Sequence, residues 1–269
     1  MLRGLILRKI LALCIAFLSF LSTAQTVESC EENTQKCTPI GEWRFSVALG
    51  AGVYTNPLHG GKNIPLVVIP YVSYYSDKFF LENTTIGYTF VDEPNWNLSV
   101  ISQLNHEQAF FERWHPSNIF VTSAESSFIN GEVAADSSKK QIDIQDVSHR
   151  DWAVDAGFLM NWYLTSYSEI NLELLHDISN VYQGSLAKIN YRKAMKLSMF
   201  KETGIEANLG ITWESSHLID YYYGIGPSDT NDTSLHYKAG SALSPYLSLA
   251  LKKRLSSNWQ CKVNLKRTF

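Results

Sequence analysis

Residues 43–53 read Trp-Arg-Phe-Ser-Val-Ala-Leu-Gly-Ala-Gly-Val, and every second residue from Trp43 onward is apolar. The residues between them are polar or small. Because successive side chains of a β-strand point to opposite faces, this alternation predicts a strand with one apolar and one polar face. Residues 205–213, Ile-Glu-Ala-Asn-Leu-Gly-Ile-Thr-Trp, repeat the same period. The repeating unit of this chain is therefore predicted to be an amphipathic strand.

Further segments with this character extend along the chain. The expected strands are 43–53, 66–75, 79–90, 96–105, 152–162, 170–178, 186–199, 205–213, 245–252 and 259–265. Several reach the roughly 9–11 residues that a tilted strand needs to cross a bilayer, whereas strands of soluble sheets usually have about five or six. Alternation alone fits either a soluble sandwich or a transmembrane barrel. After residue 24 no apolar run is long enough for a membrane-spanning helix.

The aromatic residues and the connections decide between these two folds. Most tryptophans lie at or near the ends of the expected strands: Trp43, Trp96, Trp152, Trp162, Trp213 and Trp259. Outer-membrane barrels carry such aromatic girdles at both interfaces, with short turns at one end and long loops at the other. Here short turns at 91–95, 165–168 and 255–258 alternate with long polar stretches at 105–150 and 219–244. The sequence therefore predicts an all-β fold, a transmembrane antiparallel up-and-down β-barrel of about 10–12 strands.

The polar face of the expected strands would line the lumen. It carries Arg44, Asp155, Asn161, Glu169, Glu173, Glu206, Asn208, Lys262 and Asn264. In a barrel of this size side chains fill much of the interior, so a narrow pore is compatible with the sequence and a wide porin channel is not expected.

The first 24 residues are expected to be a secretory signal peptide. Basic residues near the start precede an apolar run, 10–21, that is too short to cross a bilayer as a helix. Small residues follow this run, which predicts cleavage between Ala24 and Gln25. The mature chain would thus begin in an exported, oxidising compartment.

After cleavage we expect a polar N-terminal segment, 25–42, followed by the barrel, 43–269. Cys30 and Cys37 lie close together in the polar segment, and export favours a disulfide between them over two free thiols. A metal site would need further ligands nearby. Cys261 is expected to be a small apolar side chain.

Two short stretches resemble ligand sites only at first sight. In 59–62, His-Gly-Gly-Lys, the lysine is followed by Asn63 and Pro65 rather than by Ser or Thr and a helix, so a turn between two strands is predicted instead of a phosphate loop. In 106–115, His-Glu-Gln-Ala-Phe-Phe-Glu-Arg-Trp-His, the two histidines are too far apart for the zinc motif, and a solvated loop is expected. No cofactor or metal is expected.

The remaining composition argues against two classes of function. The formal net charge is −3 at pH 7, and no basic stripe appears, so nucleic acid is not an expected partner. His149, His176, His217 and His236 are scattered, and no Gly-x-Ser-x-Gly motif accompanies them. We expect the protein not to be an enzyme. A rim hydrolase acting on lipid is the weakest alternative.

The order of segments resembles the MltA-interacting protein (MipA) / OmpV family of outer-membrane proteins. The resemblance rests on the stretch 49–81, on the later segments Gly87-Tyr88 and 222–225, Tyr-Tyr-Gly-Ile, and on the turn 255–259, Leu-Ser-Ser-Asn-Trp. It covers roughly residues 42–269. Members of the family usually continue past the last strand to a further turn and a closing strand, whereas this sequence ends at Phe269. Either the barrel closes with fewer strands or the chain is shortened.

The resemblance implies a location in the cell outer membrane, with membrane lipid as a partner. It also implies a non-enzymatic role, because such proteins are described as scaffolds linking a murein transglycosylase to a murein synthase, or as porin-like or adhesive surface proteins. The leading expectation is therefore a scaffold. A narrow channel and a surface adhesin are the alternatives.

Overall fold

The computed structural model describes residues 40–56, 61, 63–111, 147–197, 200, 202–256 and 259–269. The chain divides into two compact units, 1–37 and 38–269, and all of these residues belong to the second. The expected signal peptide, its cleavage site at Ala24 and Gln25, and the pair Cys30 and Cys37 lie outside the described residues and stay predictions. Most of the turn 59–62 also lies outside them.

Strands make up most of the described residues. They are β1 (Trp43–Leu49), β2 (Val53–Tyr54), β3 (Ile64–Pro65), β4 (Val68–Tyr75), β5 (Phe79–Glu82), β6 (Thr85–Glu93), β7 (Trp96–Leu104), β8 (Val154–Thr165), β9 (Ser168–Asp177), β10 (Ser185–Lys196), β11 (Thr203–Glu214), β12 (Ala242–Arg254) and β13 (Gln260–Thr268). The described parts of the connections contain one α-helix, α1 (Ser216–Tyr223), and two 3₁₀ turns, Glu107–Phe110 and Thr233–Leu235. No helix among the described residues is long and apolar enough to cross a membrane.

The sheet has eleven strands in the order β1-β4-β5-β6-β7-β8-β9-β10-β11-β12-β13. Every neighbouring pair is antiparallel. The small β2–β3 sheet continues the β1–β4 hairpin, since Gly50 N–H donates to Val67 O (3.0 Å) and Leu66 N–H to Gly52 O (2.8 Å). Among the described strands, β1 and β13 each pair with one neighbour. The predicted all-β, up-and-down fold is confirmed, and eleven strands lie within the expected range.

The strand register divides the side chains between two faces. Directly paired residues of an antiparallel ladder point the same way, so Leu209 shares one face with its partners Tyr191 and Leu247. Asn208 shares the opposite face with Arg192 and Ser248. On the first face, large apolar side chains are exposed in rows: Phe158, Leu174, Ile189, Leu209, Ile211, Leu247, Leu249 and Leu251. An apolar surface of this extent is typical of a wall that faces hydrocarbon.

The two ends of the sheet differ in their connections. At one end, called the turn end, the strands are joined by 76–78, 94–95, 166–167, 197–202 and 255–259. At the other, called the loop end, they are joined by 50–67, 105–153, 178–184 and 215–241, and by one tight turn at 83–84. Tryptophans lie at both ends, with Trp96 and Trp162 paired across the turn end and Trp213 at the loop end. In bacterial outer-membrane barrels the short turns are periplasmic.

The tight turn at 83–84 corrects one predicted strand. The segment expected as a single strand, 79–90, is split into β5 and β6. Asn83 adopts φ 51°, a left-handed conformation that asparagine tolerates better than most residues. Its backbone N–H donates to Val72 O (2.8 Å), and its side-chain oxygen accepts from Val72 N–H (3.0 Å). These bonds dock the turn against β4, so the chain reverses where the apolar pattern alone indicates one continuous strand.

Candidate functional site

At the loop end, the connections fold into a compact layer, which we call the cap (residues 105–111, 147–153, 178–184 and 215–241). Its centre is a cluster of buried residues, Ala153, Tyr182, Leu218 and Tyr222. Tyr182 and Tyr222 approach each other with ring centroids 6.1 Å apart, and Phe111 packs 6.0 Å from Tyr222. Three separate connections therefore share one small apolar core.

Helix α1 is fixed to the barrel wall by its first residues. Ser215 is its N-cap, and the Ser215 hydroxyl accepts from Leu218 N–H (3.5 Å) in the helix and from Ser185 N–H (2.9 Å) at the start of β10. A capping side chain satisfies an otherwise unpaired helix donor. The same oxygen thus ties α1 to β10, which places Leu218 and Tyr222 against the cap core.

A buried ion pair joins two segments of the cap. Arg150 Nη1 lies 3.1 Å from Asp229 Oδ1, and both side chains are almost fully buried. Asp229 also accepts from the Ser148 hydroxyl (2.6 Å) and from Gly226 N–H (2.8 Å). Burial alone would raise the pKa of Asp229, but the hydrogen bonds from Gly226, Ser148 and Arg150 outweigh it and lower this pKa to about 2. Asp229 is therefore the anchor that holds 147–150 against the turn after α1.

The cap reaches across the mouth of the sheet. The Tyr54 ring on β2 stacks on Phe110 with centroids 5.2 Å apart, and Asn56 Nδ2 donates to Phe110 O (2.9 Å). The Tyr223 hydroxyl at the end of α1 donates to Glu107. Since β1, β7 and β11 are far apart in the strand order, these contacts show that the sheet curls and that its loops meet over the opening.

Residues 106–111 differ from the expectation of a solvated loop. Gln108 is fully buried and donates from Nε2 to Arg150 O (3.0 Å). Burial raises the pKa of the Glu107 carboxyl, and the hydrogen bond from Tyr223 partly opposes this rise. The expectation was wrong here because Phe110 and Phe111 draw the segment onto the cap core, and 112–115 lie outside the described residues.

On the polar face, hydrogen-bonded side chains form a ladder that runs from β7 to β12. Asn161 Nδ2 donates to Asn97 Oδ1 (2.8 Å), Asn171 Nδ2 to Asn161 Oδ1 (2.7 Å) and Asn190 Nδ2 to Asn171 Oδ1 (3.1 Å). The Tyr246 hydroxyl donates to Asn190 Oδ1 (3.1 Å), which extends the ladder to β12. Polar side chains that face the interior of a barrel are thereby paired with one another.

A glycine makes the last step of this ladder possible. Gly210 on β11 lies between Tyr246 on β12 and Asn190 on β10 in the register. A Cβ atom at position 210 would lie 2.4 Å from the Tyr246 ring. The ring therefore lies flat over Gly210, and its hydroxyl reaches the strand beyond.

Nearer the turn end, an ion-pair network spans four strands, β9 to β12. Arg192 pairs with Glu169 (2.8 Å) on β9 and with Glu206 (3.1 Å) on β11. Lys252 on β12 also pairs with Glu206 (2.6 Å). The sequence placed Glu169 and Glu206 on the lumen face, and the register confirms that placement.

The cap also contains a polar cluster that sequence reasoning missed. Asp155, at the loop end of β8, accepts from the Tyr182 hydroxyl (2.5 Å) and from Asn105 Nδ2 (2.8 Å). Asp177 Oδ2 accepts from Tyr182 N–H (2.7 Å). Of these residues, only Asp155 was expected to face the lumen. Its partners Asn105 and Tyr182 belong to connections, which carry no periodic pattern.

The four histidines weighed as catalytic candidates are not brought together. His176 Nδ1 lies 2.9 Å from the Ser185 hydroxyl on the outward face, and His149 Nε2 lies 3.6 Å from Asp151. His217 and His236 contact the backbone carbonyls of Gln183 (3.0 Å) and Thr230 (2.9 Å). All four are exposed. Cys261, expected as an apolar side chain, is also exposed.

Comparison with known proteins agrees with this architecture. The family model described as MltA-interacting protein MipA matches residues 47–268. The outer membrane protein YiaT of Escherichia coli K12 is 24% identical over 209 residues, which cover 77% of this chain and 73% of the relative. Its counterpart in Escherichia coli O157:H7 gives the same identity and coverage. No solved structure matches the chain. The match over most of the barrel shows that this chain belongs to the MipA family of outer membrane proteins.

Proposed function

We propose that this protein is a non-enzymatic outer-membrane scaffold that brings a murein transglycosylase, and with it a murein synthase, to the inner side of the membrane. The observation that carries the proposal is the polar face of the sheet, which is cross-linked by its own side chains beneath the cap. The cap covers the loop end, and the asparagine ladder and the ion pairs tie the lumen side chains together below it. A barrel filled in this way supports a binding role better than bulk transport.

The name of the family supplies the partner. A family described as interacting with MltA, a murein transglycosylase, suggests that the surface facing the murein layer contacts such an enzyme. The short turns of bacterial barrels lie on this periplasmic side. We therefore place the contact at the turn end rather than at the cap.

Co-purification tests this proposal. The full mature chain, extracted in mild detergent and immobilised, should retain a purified murein transglycosylase, and the retained enzyme should recruit a murein synthase. An unrelated outer-membrane barrel of similar size is the control. Equal retention by both barrels would count against a scaffold.

A narrow channel is the second candidate, and the continuous polar lumen favours it. Planar-bilayer recordings separate the two functions. We expect no steps of conductance from the intact protein, because the cap and the ladder obstruct the path. Regular conductance steps that persist after purification would favour the channel.

The contact between His176 and Ser185 allows the weakest candidate, a lipid hydrolase, to be tested. Cells carrying His176→Ala or His149→Ala should have an unchanged phospholipid and lysophospholipid composition under the scaffold proposal. A lower lysophospholipid content in the His176→Ala cells alone would contradict a non-enzymatic role.

A further inference from the structure

Three lysines lie side by side in one row of the ladder at the turn end. Lys252 on β12 is directly opposite Lys262 on β13. On its other side Lys252 is opposite Gly204 on β11, and Gly204 is opposite Lys196 on β10. Because Gly204 has no side chain, Lys196 and Lys252 face each other across it. We call these three residues the lysine row.

The lysine row is unfavourable for the isolated sheet. Lys252 and Lys262 are directly opposite each other, where Cβ atoms are only about 4.5–5.5 Å apart and like charges are destabilising. Lys196 lies one strand farther from Lys252, about 10 Å away. Lys196 and Lys262 are exposed, and Lys252 is half-buried. A sequence that keeps a locally unfavourable arrangement usually does so at a functional site.

Two nearby carboxylates compensate only part of this charge. Glu206 accepts from Lys252 (2.6 Å), but it also binds Arg192 (3.1 Å). The second carboxylate is Glu202, which lies in the turn between β10 and β11. The row therefore keeps an excess of positive charge at the mouth of the turn end.

The face of the row identifies the kind of partner. Paired residues share a face, and the intervening pair Leu251 and Val263 is apolar, exposed and outward. The lysine row therefore faces the lumen mouth and the periplasm, away from lipid headgroups. A polyanion on the periplasmic side can reach it there, whereas the phosphates of the inner leaflet lie on the other face.

We propose that the lysine row binds murein directly, through the free carboxylates of its peptide side chains. This inference rests on the proposed scaffold role, since a scaffold for murein enzymes is expected to be held against their substrate. It adds a second contact: the barrel would bind the polymer itself as well as the enzymes that act on it. Several weak ion pairs with a repeating polymer would act together through multivalency.

Sedimentation with purified, protein-free murein sacculi tests the inference. The detergent-solubilised mature protein should pellet with sacculi at low salt and less at high salt, because salt screens exposed charges. The double variant Lys196→Gln/Lys262→Gln should bind about thirtyfold more weakly, as expected for two lysines near an anionic surface. Lys252 is left intact so that its ion pair with Glu206 is kept.

The chain offers a matched control on the same two strands. The double variant Lys188→Gln/Lys266→Gln removes the same charge from the same lumen face of β10 and β13, but farther from the turn end. We expect its binding to sacculi to stay within about twofold of the wild type. Heat-modifiable gel mobility of both variants checks that they fold. Equal weakening of both variants, or a wild type that does not pellet, would overturn the inference.

Two further binding measurements distinguish murein from a protein or lipid partner. If the row variant loses binding to the transglycosylase but keeps binding to sacculi, the row contacts an acidic protein and the inference is wrong. Charge-dependent binding of the row to phosphatidylglycerol vesicles without binding to sacculi would also overturn it. Binding to sacculi in a protein that captures no transglycosylase would remove the scaffold proposal and leave this inference standing.

Discussion

Neighbouring residues on one strand meet different surroundings. Leu209 lies near the middle of β11 on the outward face, between Tyr191 and Leu247. Asn208, the residue before it, faces the lumen between Arg192 and Ser248. Because the side-chain period of a strand is two, the register assigns every residue of β11 to hydrocarbon or to the interior. The alternation in the sequence already contained this assignment.

An arginine placed at each of these two positions tests the faces. Leu209→Arg should destabilise the folded barrel by about 2–4 kcal/mol, since a guanidinium near the bilayer midplane is costly. Asn208→Arg should cost less, because the lumen is polar. Equilibrium unfolding in urea with the protein in lipid vesicles would measure both. Equal losses of stability would show that the faces are assigned wrongly.

Within the cap, the Asp229 carboxylate holds several segments together through its ion pair and hydrogen bonds. Asp229→Ala should destabilise the cap by about 3–5 kcal/mol, because it leaves the Arg150 guanidinium buried without its partner. Hydrogen exchange at the amides of 147–153 and 215–241 would report the loss, with the exposed Asp151→Ala as a control. Unchanged protection in Asp229→Ala would contradict the anchoring role.

The lowered pKa of Asp229 predicts that the stability of the cap depends on pH. A carboxyl whose pKa is lowered by folding contributes stability that is fully present above its unfolded value and is lost as the pH falls through the folded value. For Asp229 this window runs from about 4, the ordinary value, down to about 2. The protection factors of the cap amides, corrected for the intrinsic exchange rate at each pH, should therefore fall on acidification over this range in the wild type, and the fall should be smaller in Asp229→Asn. Identical acid profiles would contradict the prediction.

Among the elements, strands and connections differ in how well the sequence predicts them. Strands such as β8 and β11 follow the alternation closely, since one face is apolar along their whole length. The division of 79–90 into β5 and β6 was missed because Asn83 and Thr84 interrupt the pattern by only two residues. The cap was missed because its contacts, such as Tyr54 with Phe110, join segments far apart in the chain. Long-range packing of this kind leaves no periodic signal.

The N-cap of α1 is the element whose removal is most informative. Ser215→Ala should destabilise the helix by about 1 kcal/mol through loss of the cap, and it also removes the acceptor of Ser185 N–H. Faster hydrogen exchange in 216–223, with β11 unchanged, is expected. Ser215→Thr keeps the hydroxyl and should restore most of the protection. Equal exchange in Ala and Thr variants would show that the hydroxyl does not hold the helix.

For the whole molecule, the sheet, the outward apolar face and the capped polar lumen describe one object, an outer-membrane barrel. The polar face of residues such as Glu169 and Glu206 could be predicted from alternation, and the fold class from alternation together with strand length, the positions of the tryptophans and the lengths of the connections. The hydrogen-bond partners within the lumen could not, because they depend on which strands become neighbours and in which register. The lysine row is an example: Lys196, Lys252 and Lys262 are distant in sequence and meet only through the register of β10 to β13.

The most direct test of the central claim is heat-modifiable mobility of the membrane-extracted chain on a denaturing gel. A folded outer-membrane barrel resists the detergent until it is boiled, because its strands are joined by a continuous network of backbone hydrogen bonds. We predict that the protein fractionates with the outer membrane and that its band shifts in mobility on boiling. Recovery in the soluble fraction, with one mobility before and after boiling, would contradict the account.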